Sequence, residues 1–397
     1  MATGHVGSRH TQQRIEYSLV HVPVDDRPNE MTKKIVVVGG GLAGSAFAIQ
    51  LARHNGRVTV LERTAGAHHK VCGEFLSSEA QELLAKLGLD VWRFGAAPAT
   101  YLGLEFGQHQ AKIKLPFRAA GLSRFRLDEL LLDAAAQSGA QVIRCATVTK
   151  LQYDRCPIAV HTATGSFEGT HVALASGKHN VRGLPRPQSS TVAFKMQLKP
   201  NRTAADALDH IVHLSLFAGG YAGACLVEGG IATIGWVVER DQFGETSPSE
   251  WQAHAEFLSE RSLFFSSLFR NAAPLWNKPL AVASIPYGFI RKRVISETVY
   301  PIGDQLTVIP SYTGDGTSLA LHTGLAAAHA VLRNRSATDF QKAMIIKLKP
   351  QMFWAKLANF AFVNASAQRL TAAVTRQAPW LLPHMATIVV NKTRLRP

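Results

Sequence analysis

Lys34-Ile-Val-Val-Val-Gly39-Gly40-Gly41-Leu42-Ala43-Gly44, followed by Arg57-Val-Thr-Val-Leu-Glu62, is the stretch that decides the fold. Residues 34–38 form a short apolar run rich in β-branched side chains, the pattern of a strand buried on both faces of a parallel sheet. An Ala-rich segment near 42–54 reads as a helix, and Asn55-Gly56 reads as its C-terminal cap. Residues 57–61 form a second strand, so the unit is the start of a βαβ fold. Gly39 permits the tight turn, Gly41 lets the backbone approach a pyrophosphate, and Gly44 lets helix and strand pack closely. The exposed N–H groups of the helix start favour an anion. Glu62 ends the second strand, where a carboxylate accepts hydrogen bonds from ribose hydroxyls. Strand, glycines, helix and acid together predict dinucleotide binding.

Outward from this unit, residues 124–138 read as a helix with Leu127, Leu130, Leu131 and Ala134 on one face. Val142-Ile143 and Val148 predict a return to the sheet, and 171–175 another short strand ending at Ser176-Gly177. The texture then changes. Val192, Phe194, Met196 and Leu198 alternate with small or polar residues, which predicts a half-exposed antiparallel strand. Val212, Leu214 and Leu216 repeat the pattern, and Glu228-Gly229-Gly230 lies between two strand-like runs as a hairpin would. Near Val299-Tyr300-Pro301-Ile302 the Rossmann character returns, with a small-residue helix from about Ser318. Residues 336–390 read as helical, with breaks at Pro350, Pro379 and Pro383.

The expected class is α/β: a Rossmann-like FAD-binding domain, a mainly antiparallel β-sheet substrate domain and a helical C-terminal segment. The expected boundaries are a disordered extension at 1–30, a cofactor domain from 31–100, 116–185 and 285–335, a substrate domain from 101–115 and 186–284, and a basic region at 336–397. Met31 precedes the first strand as a start residue would.

FAD is preferred over NAD because of a distant pair of segments. Ile302-Gly303-Asp304 places a carboxylate near a ribityl chain. Gly314-Asp315-Gly316 opens a helix whose dipole stabilises negative charge at the flavin pyrimidine edge. With these motifs the chain resembles the FAD enzymes that include geranylgeranyl reductases, class A aromatic hydroxylases and flavin halogenases, over roughly 32–335. Val71-Cys72-Gly73-Glu74-Phe75 resembles the Cys-Gly-Glu segment of the reductase branch, which crosses near the flavin. Arg124-x-x-Leu127-Asp128-x-x-Leu131 resembles the helix start whose arginine contacts the cofactor. Ala175-Ser176-Gly177 with Arg182 resembles an Asp-Gly…Arg segment, and Gly220-Tyr221-Ala222-Gly223 a hairpin over the substrate pocket. The cofactor positions so implied are Gly39, Gly41, Leu42, Ala43, Gly44, Glu62, Arg63, Cys72, Gly73, Arg124, Val148, Gly177, Gly303, Asp304, Gly314 and Gly316. Cys72 and Tyr221 are the candidate catalytic residues. His68-His69-Lys70 are candidates for steering phosphate, and His213 and His322 for acid–base work. Asp315 reads as a helix cap.

Departures from the family are equally legible. Gly223 stands where the reductases carry Trp, Leu226-Val227 replaces Phe-Pro, Ser176 replaces Asp, and Gln305-Leu306 replaces a small or His-containing pair. The halogenase Trp-x-Trp-x-Ile-Pro motif is missing. The resemblance therefore implies, first, a monooxygenase acting on an apolar aromatic, polyketide or lipid-like substrate, with NAD(P)H or an external reductase as electron source. The alternative is reduction of C=C bonds in an isoprenoid or polyketide chain. A non-catalytic lipid-binding role, as in the Rab GDP-dissociation inhibitors of related fold, is the third reading.

The charge balance sets the expected partners. The formal charge is +15, and from Ser336 onward nine Lys/Arg face one acid, Asp339. No nucleic-acid motif accompanies this excess, so nucleic acid is not expected. The run Lys347–Phe362 mixes Lys with Met352, Phe353, Trp354, Leu357, Phe360 and Phe362. It reads either as a lid or as a peripheral contact with an anionic membrane. Cys72, Cys145, Cys156 and Cys225 lack metal or disulfide spacing, so no metal site and reduced thiols in a cytoplasmic setting are expected. No run of about 18 apolar residues predicts a transmembrane helix.

Overall fold

A computed structural model describes residues 33–243 and 250–363. The expected extension at 1–30, the basic residues Arg369, Arg376, Lys392, Arg394 and Arg396 and the breaks at Pro379 and Pro383 lie outside the described residues, as do the side chains of Phe360 and Phe362. The helices are α1 (Leu42–Ala52), α2 (Ser78–Lys86), α3 (Arg124–Gln137), α4 (Arg202–Leu208), α5 (Trp251–Ser259), α6 (Leu263–Arg270), α7 (Gly316–Leu332) and α8 (Ala337–Val363).

The βαβ start forms as read. Lys34–Val38 pairs in parallel with Arg57–Leu61 on one side and with His171–Leu174 on the other. Val299–Pro301 and Gln141–Ile143 complete a five-stranded sheet. Asn55 closes α1 at φ 58, and the Gly56 N–H donates to the Leu51 carbonyl, a six-to-one C-terminal cap. α1 is buried almost all round, because the sheet, α3 and α7 all pack on it. The core of this half runs from Ile35 and Val37 through Phe47 and Leu51 to Leu127, Leu131, Ile302 and Leu321.

The second half is a nine-stranded sheet. The hairpin Gly220–Leu226 with Ala232–Glu239 is present, turned by Glu228–Gly230. The strands Ala97–Phe106 and His109–Gly121 join this sheet and extend beyond 101–115 at both ends. His210–Phe217 pairs in parallel with Ala97–Phe106, while its other neighbour is antiparallel.

Three expectations are corrected. The strand Thr191–Pro200 is not half-exposed: residues Val192 to Leu198 are all buried. Phe194, Met196 and Leu198 pack under α5 and α6, and the intervening Lys195 and Gln197 are covered from the opposite side. Val148 does not return to the parallel sheet. Cys145, at φ 56, turns the chain outward, and Val148–Gln152 begins a separate three-stranded antiparallel sheet. Pro350 does not break a helix, for α8 runs through it. The buried stripe Phe340, Met344, Leu348, Met352 and Ala355 keeps helical spacing across the proline. Its packing outweighs the ~3 kcal/mol that an interior proline costs.

Candidate functional site

The glycine turn is constrained by backbone, not by solvent. A Cβ on Gly44 would lie 1.9 Å from the Gly39 carbonyl oxygen, and one on Gly39 would lie 2.5 Å from that of Ala175. Gly39 itself takes φ +103. Gly41 is different, since its Cβ position faces Lys70 Nζ at 3.6 Å and Arg124 Nη2 at 3.8 Å. No side chain caps α1. Two cations and the bare N–H groups of a helix start therefore meet over one glycine, which is the donor set a pyrophosphate requires. Leu42 and Ala43 form the buried first turn behind it.

Glu62 is 6% exposed. One carboxylate oxygen accepts the Gly40 N–H at 2.9 Å, and the other accepts the Thr64 N–H and hydroxyl. Burial pushes its pKa up, but Lys70 and these hydrogen bonds outweigh burial and leave it lowered. Arg63 beside it is exposed. Arg124 holds Asp128 through two bonds, at 2.6 and 2.9 Å, and Lys70 reaches the same carboxylate at 2.6 Å. Burial would raise Asp128, and these two cations instead hold it at about 2.

At the other end of the site, the α7 N-terminus approaches from below the Ser311–Thr313 turn. Gly314, at φ +71, packs on the Phe75 ring. Cβ atoms on Gly73, Gly177 and Gly316 would meet nothing within 4 Å. Three segments far apart in sequence thus present bare backbone to open space, and a planar ring with a polyol chain fits such a lining. Asp304 follows Gly303 in the turn that starts beside Ala43. Asp315 occupies the α7 N-cap position, but its carboxylate accepts from Gln351 at 3.1 Å instead of capping the helix.

Cys72 sits half-buried with its sulfur accepting the Glu74 N–H at 3.4 Å, beside the Arg124 guanidinium. Its segment is pinned from the substrate side. Glu74 takes φ +58, a costly conformation for a side chain of this kind. Its carboxylate holds the chain there by an ion pair with Lys195, both fully buried, by the Arg124 N–H at 2.8 Å and by Gln197 at 3.3 Å.

Several of these residues carry no local signal. Arg186, and not Arg182, reaches the cofactor region: it is 7% exposed and donates to the carbonyls of Asp304 and Lys178. Arg182 is exposed and lines, with Val148, a surface cleft of about 580 Å³ on the outer three-stranded sheet. Gln305 clamps the segment after Gly177, donating to the Gly177 and His179 carbonyls at 2.8 and 2.9 Å. A small residue at position 305 would leave both acceptors open.

The histidines separate. His69 lies between the rings of Phe125 and Trp276, at 4.8 and 4.6 Å. His68 contacts the Gly66 carbonyl. His213 belongs to a buried network with Ser215 and Glu105, which also binds the α6 start through Ser262 and the Leu263 N–H. His322 is buried in α7, and burial, then Lys347 and Lys86, lower it to about 4.

The face of the nine-stranded sheet toward the cofactor segments is apolar. Leu102, Leu115, Leu216, Val237, Ile285 and Val308 pack there with Phe75, Tyr221 and Tyr312. Its polar feature is a chain of hydroxyls. Tyr221 bonds Ser311 at 2.5 Å, Tyr287 bonds Ser311 at 2.8 Å, and the Tyr312 N–H donates to Tyr221 at 3.3 Å. Burial raises the pKa of both phenols.

Comparison with known proteins agrees with this geometry. The sequence profile of the pyridine nucleotide-disulphide oxidoreductase family matches residues 4–100 and 33–204. Menaquinone reductase of Mycobacterium tuberculosis is 26% identical over 311 residues, covering 74% of this chain and 75% of that protein. Tryptophan 2-halogenase of Chondromyces crocatus is 22% identical over 374 residues, covering 85% and 68%. The halogenase PltM, solved in complex with phloroglucinol and FAD, superposes with a TM-score of 0.67 at 13% identity, covering 85% of this chain and 78% of that one. The chain belongs to the pyridine nucleotide-disulphide oxidoreductase family, and it is an FAD-dependent enzyme of the oxidoreductase and monooxygenase superfamily.

Proposed function

We propose that the protein is a monooxygenase that hydroxylates an apolar aromatic or polyketide-like substrate, with NAD(P)H or an external reductase as electron source. The carrying observation is the apolar sheet face that meets the cofactor loop at the Tyr221–Ser311–Tyr287 chain. Bound FAD supplies the redox chemistry, accepting electrons from the donor and reacting with O₂. The chain's own residues position the substrate. Three hydroxyls carry three hydrogens but need only two for their internal bonds. The Tyr312 N–H fills an acceptor site at the Tyr221 end, so the chain runs away from it and leaves the Tyr287 hydrogen to donate outward. A substrate phenol or carbonyl oxygen is the matching acceptor. The cofactor positions are Gly39, Gly41, Gly44, Glu62, Arg124, Gly303, Asp304, Gly314 and Gly316, with Arg186 and Lys70 added. The apolar walls exclude water from the reacting atoms.

The competing reading is C=C reduction. It draws on the Cys72-Gly73 segment beside the open backbone of the site and on the likeness to a menaquinone reductase. One experiment separates the two. Purified holoenzyme is given NADPH or NADH, long-chain resorcinols or a prenylated naphthoquinone, and ¹⁸O₂. Oxygenation predicts product carrying one ¹⁸O atom. A product two hydrogens heavier, formed equally well without O₂, overturns the oxygenase reading in favour of reduction.

A further inference from the structure

Helix α8 has two apolar faces, and only one is covered. The inner face is the buried stripe from Phe340 to Ala355. On the outer face Ile346 is 69% exposed, Phe353 62%, Trp354 51% and Leu357 51%. At 3.6 residues per turn these positions, with Pro350 between them, fall within an arc of about 100°. Lys342, Lys349 and Lys356 run along one flank of that arc and Lys347 along the other. Asp339, in the first turn, is the acid of the helix. No helix among the described residues is long and apolar enough to cross a membrane.

We propose that the outer face of α8 docks on an anionic phospholipid bilayer. Ile346, Phe353, Trp354 and Leu357 enter the boundary between headgroups and acyl chains, and the flanking lysines lie among the anionic headgroups. A second copy of this chain would bring lysines against lysines along both flanks, so charge favours lipid over self-association. The docked helix is tied to the cofactor loop. Gln351 donates to Asp315, and Tyr312 donates to the Ala355 carbonyl. The bilayer contact therefore lies one helix width from the turn that carries Ser311. This proposal does not depend on whether the reaction is oxygenation or reduction.

The test is flotation of the full-length holoenzyme with vesicles of phosphatidylcholine containing about one-third phosphatidylglycerol, against pure phosphatidylcholine vesicles. The enzyme is expected to float with the anionic vesicles at low salt, and less at high salt. Phe353→Ser/Trp354→Ser/Leu357→Ser should lower the bound fraction about tenfold or more. Lys347→Gln and Lys349→Gln, which leave the apolar stripe intact, should each lower partitioning about fivefold. Retained flavin absorbance certifies the folding of every variant. The proposal is overturned if the wild type does not float, if the triple variant floats as the wild type does, or if binding is equal on neutral vesicles. It is also overturned if the wild type is a dimer that the triple variant converts to monomer, since the face is then a protein interface.

Discussion

Asp128 stays charged in a place that ought to neutralise it. Burial alone would raise its pKa, yet Arg124 and then Lys70 hold it at about 2. The folded value lies below the ordinary ~3.9, so the stabilisation is complete above about pH 4 and is lost as pH falls toward 2. It amounts to about 2 kcal/mol. Asp128→Asn is expected to cost about that much near neutrality and to flatten the stability profile between pH 4 and 2, read by urea titration at each pH. An unchanged acid limb in the variant would show that the carboxylate is not the group responsible. Glu62 makes a second prediction at this scale. Its carboxylate fixes the Gly40 and Thr64 backbone as well as facing the cofactor, so Glu62→Ala should weaken FAD binding by about tenfold or more, about 1.4 kcal/mol. Flavin fluorescence titration measures it, and an unaltered Kd would remove Glu62 from the cofactor site.

Between elements, the contacts that matter most join segments remote in sequence. Lys195 and Glu74 are both fully buried, one in a strand and one in the Cys72–Phe75 segment. Lys195→Met leaves a buried carboxylate without its cation, and a loss of about 3–5 kcal/mol in unfolding free energy is expected. Adding Glu74→Gln should restore part of it, a coupling that a double-mutant cycle reads directly. Additive losses would mean the two groups act independently. This pair also explains where sequence reading stopped. The glycine turn was legible because strand, turn, helix and acid are local and each has its own period or residue type. Lys195 and Gln197 were legible only as polar alternation, which reads as a solvent face when the covering partner lies 121 positions away. Arg186 was missed for a like reason: Arg182 stood nearer the expected spacing, and only the folded loop shows which arginine turns inward. Pro350 misled because propensity is local and the stripe that holds α8 straight is tertiary.

At the scale of the whole molecule, the cofactor segments come from near residues 39, 73, 124, 177, 303 and 316, so an occupied site braces both halves of the chain. A ligand that binds only the folded state adds stability by mass action, about 2.7 kcal/mol at a hundredfold excess over Kd. Removing FAD is therefore expected to lower Tm by several degrees, and returning it should restore Tm in a concentration-dependent way. A Tm indifferent to FAD would place binding outside this junction. The substrate half was the less readable one for the same global reason: its walls are assembled from six or more strands, and no one strand carries the chemistry.

Gly324 in α7 has a Cβ position only 2.3 Å from the Ala43 carbonyl of α1, so these two helices touch backbone to backbone. One begins at Gly41 and the other at Gly316. Their contact sets the separation of the two anion-seeking helix ends, and so the protein is a gauge of ligand length. FMN, which lacks the adenosine half, can satisfy one end but never both, and it should bind at least tenfold more weakly than FAD. Gly324→Ala, which must push the helices apart at a cost of about 1–3 kcal/mol, should blunt that discrimination.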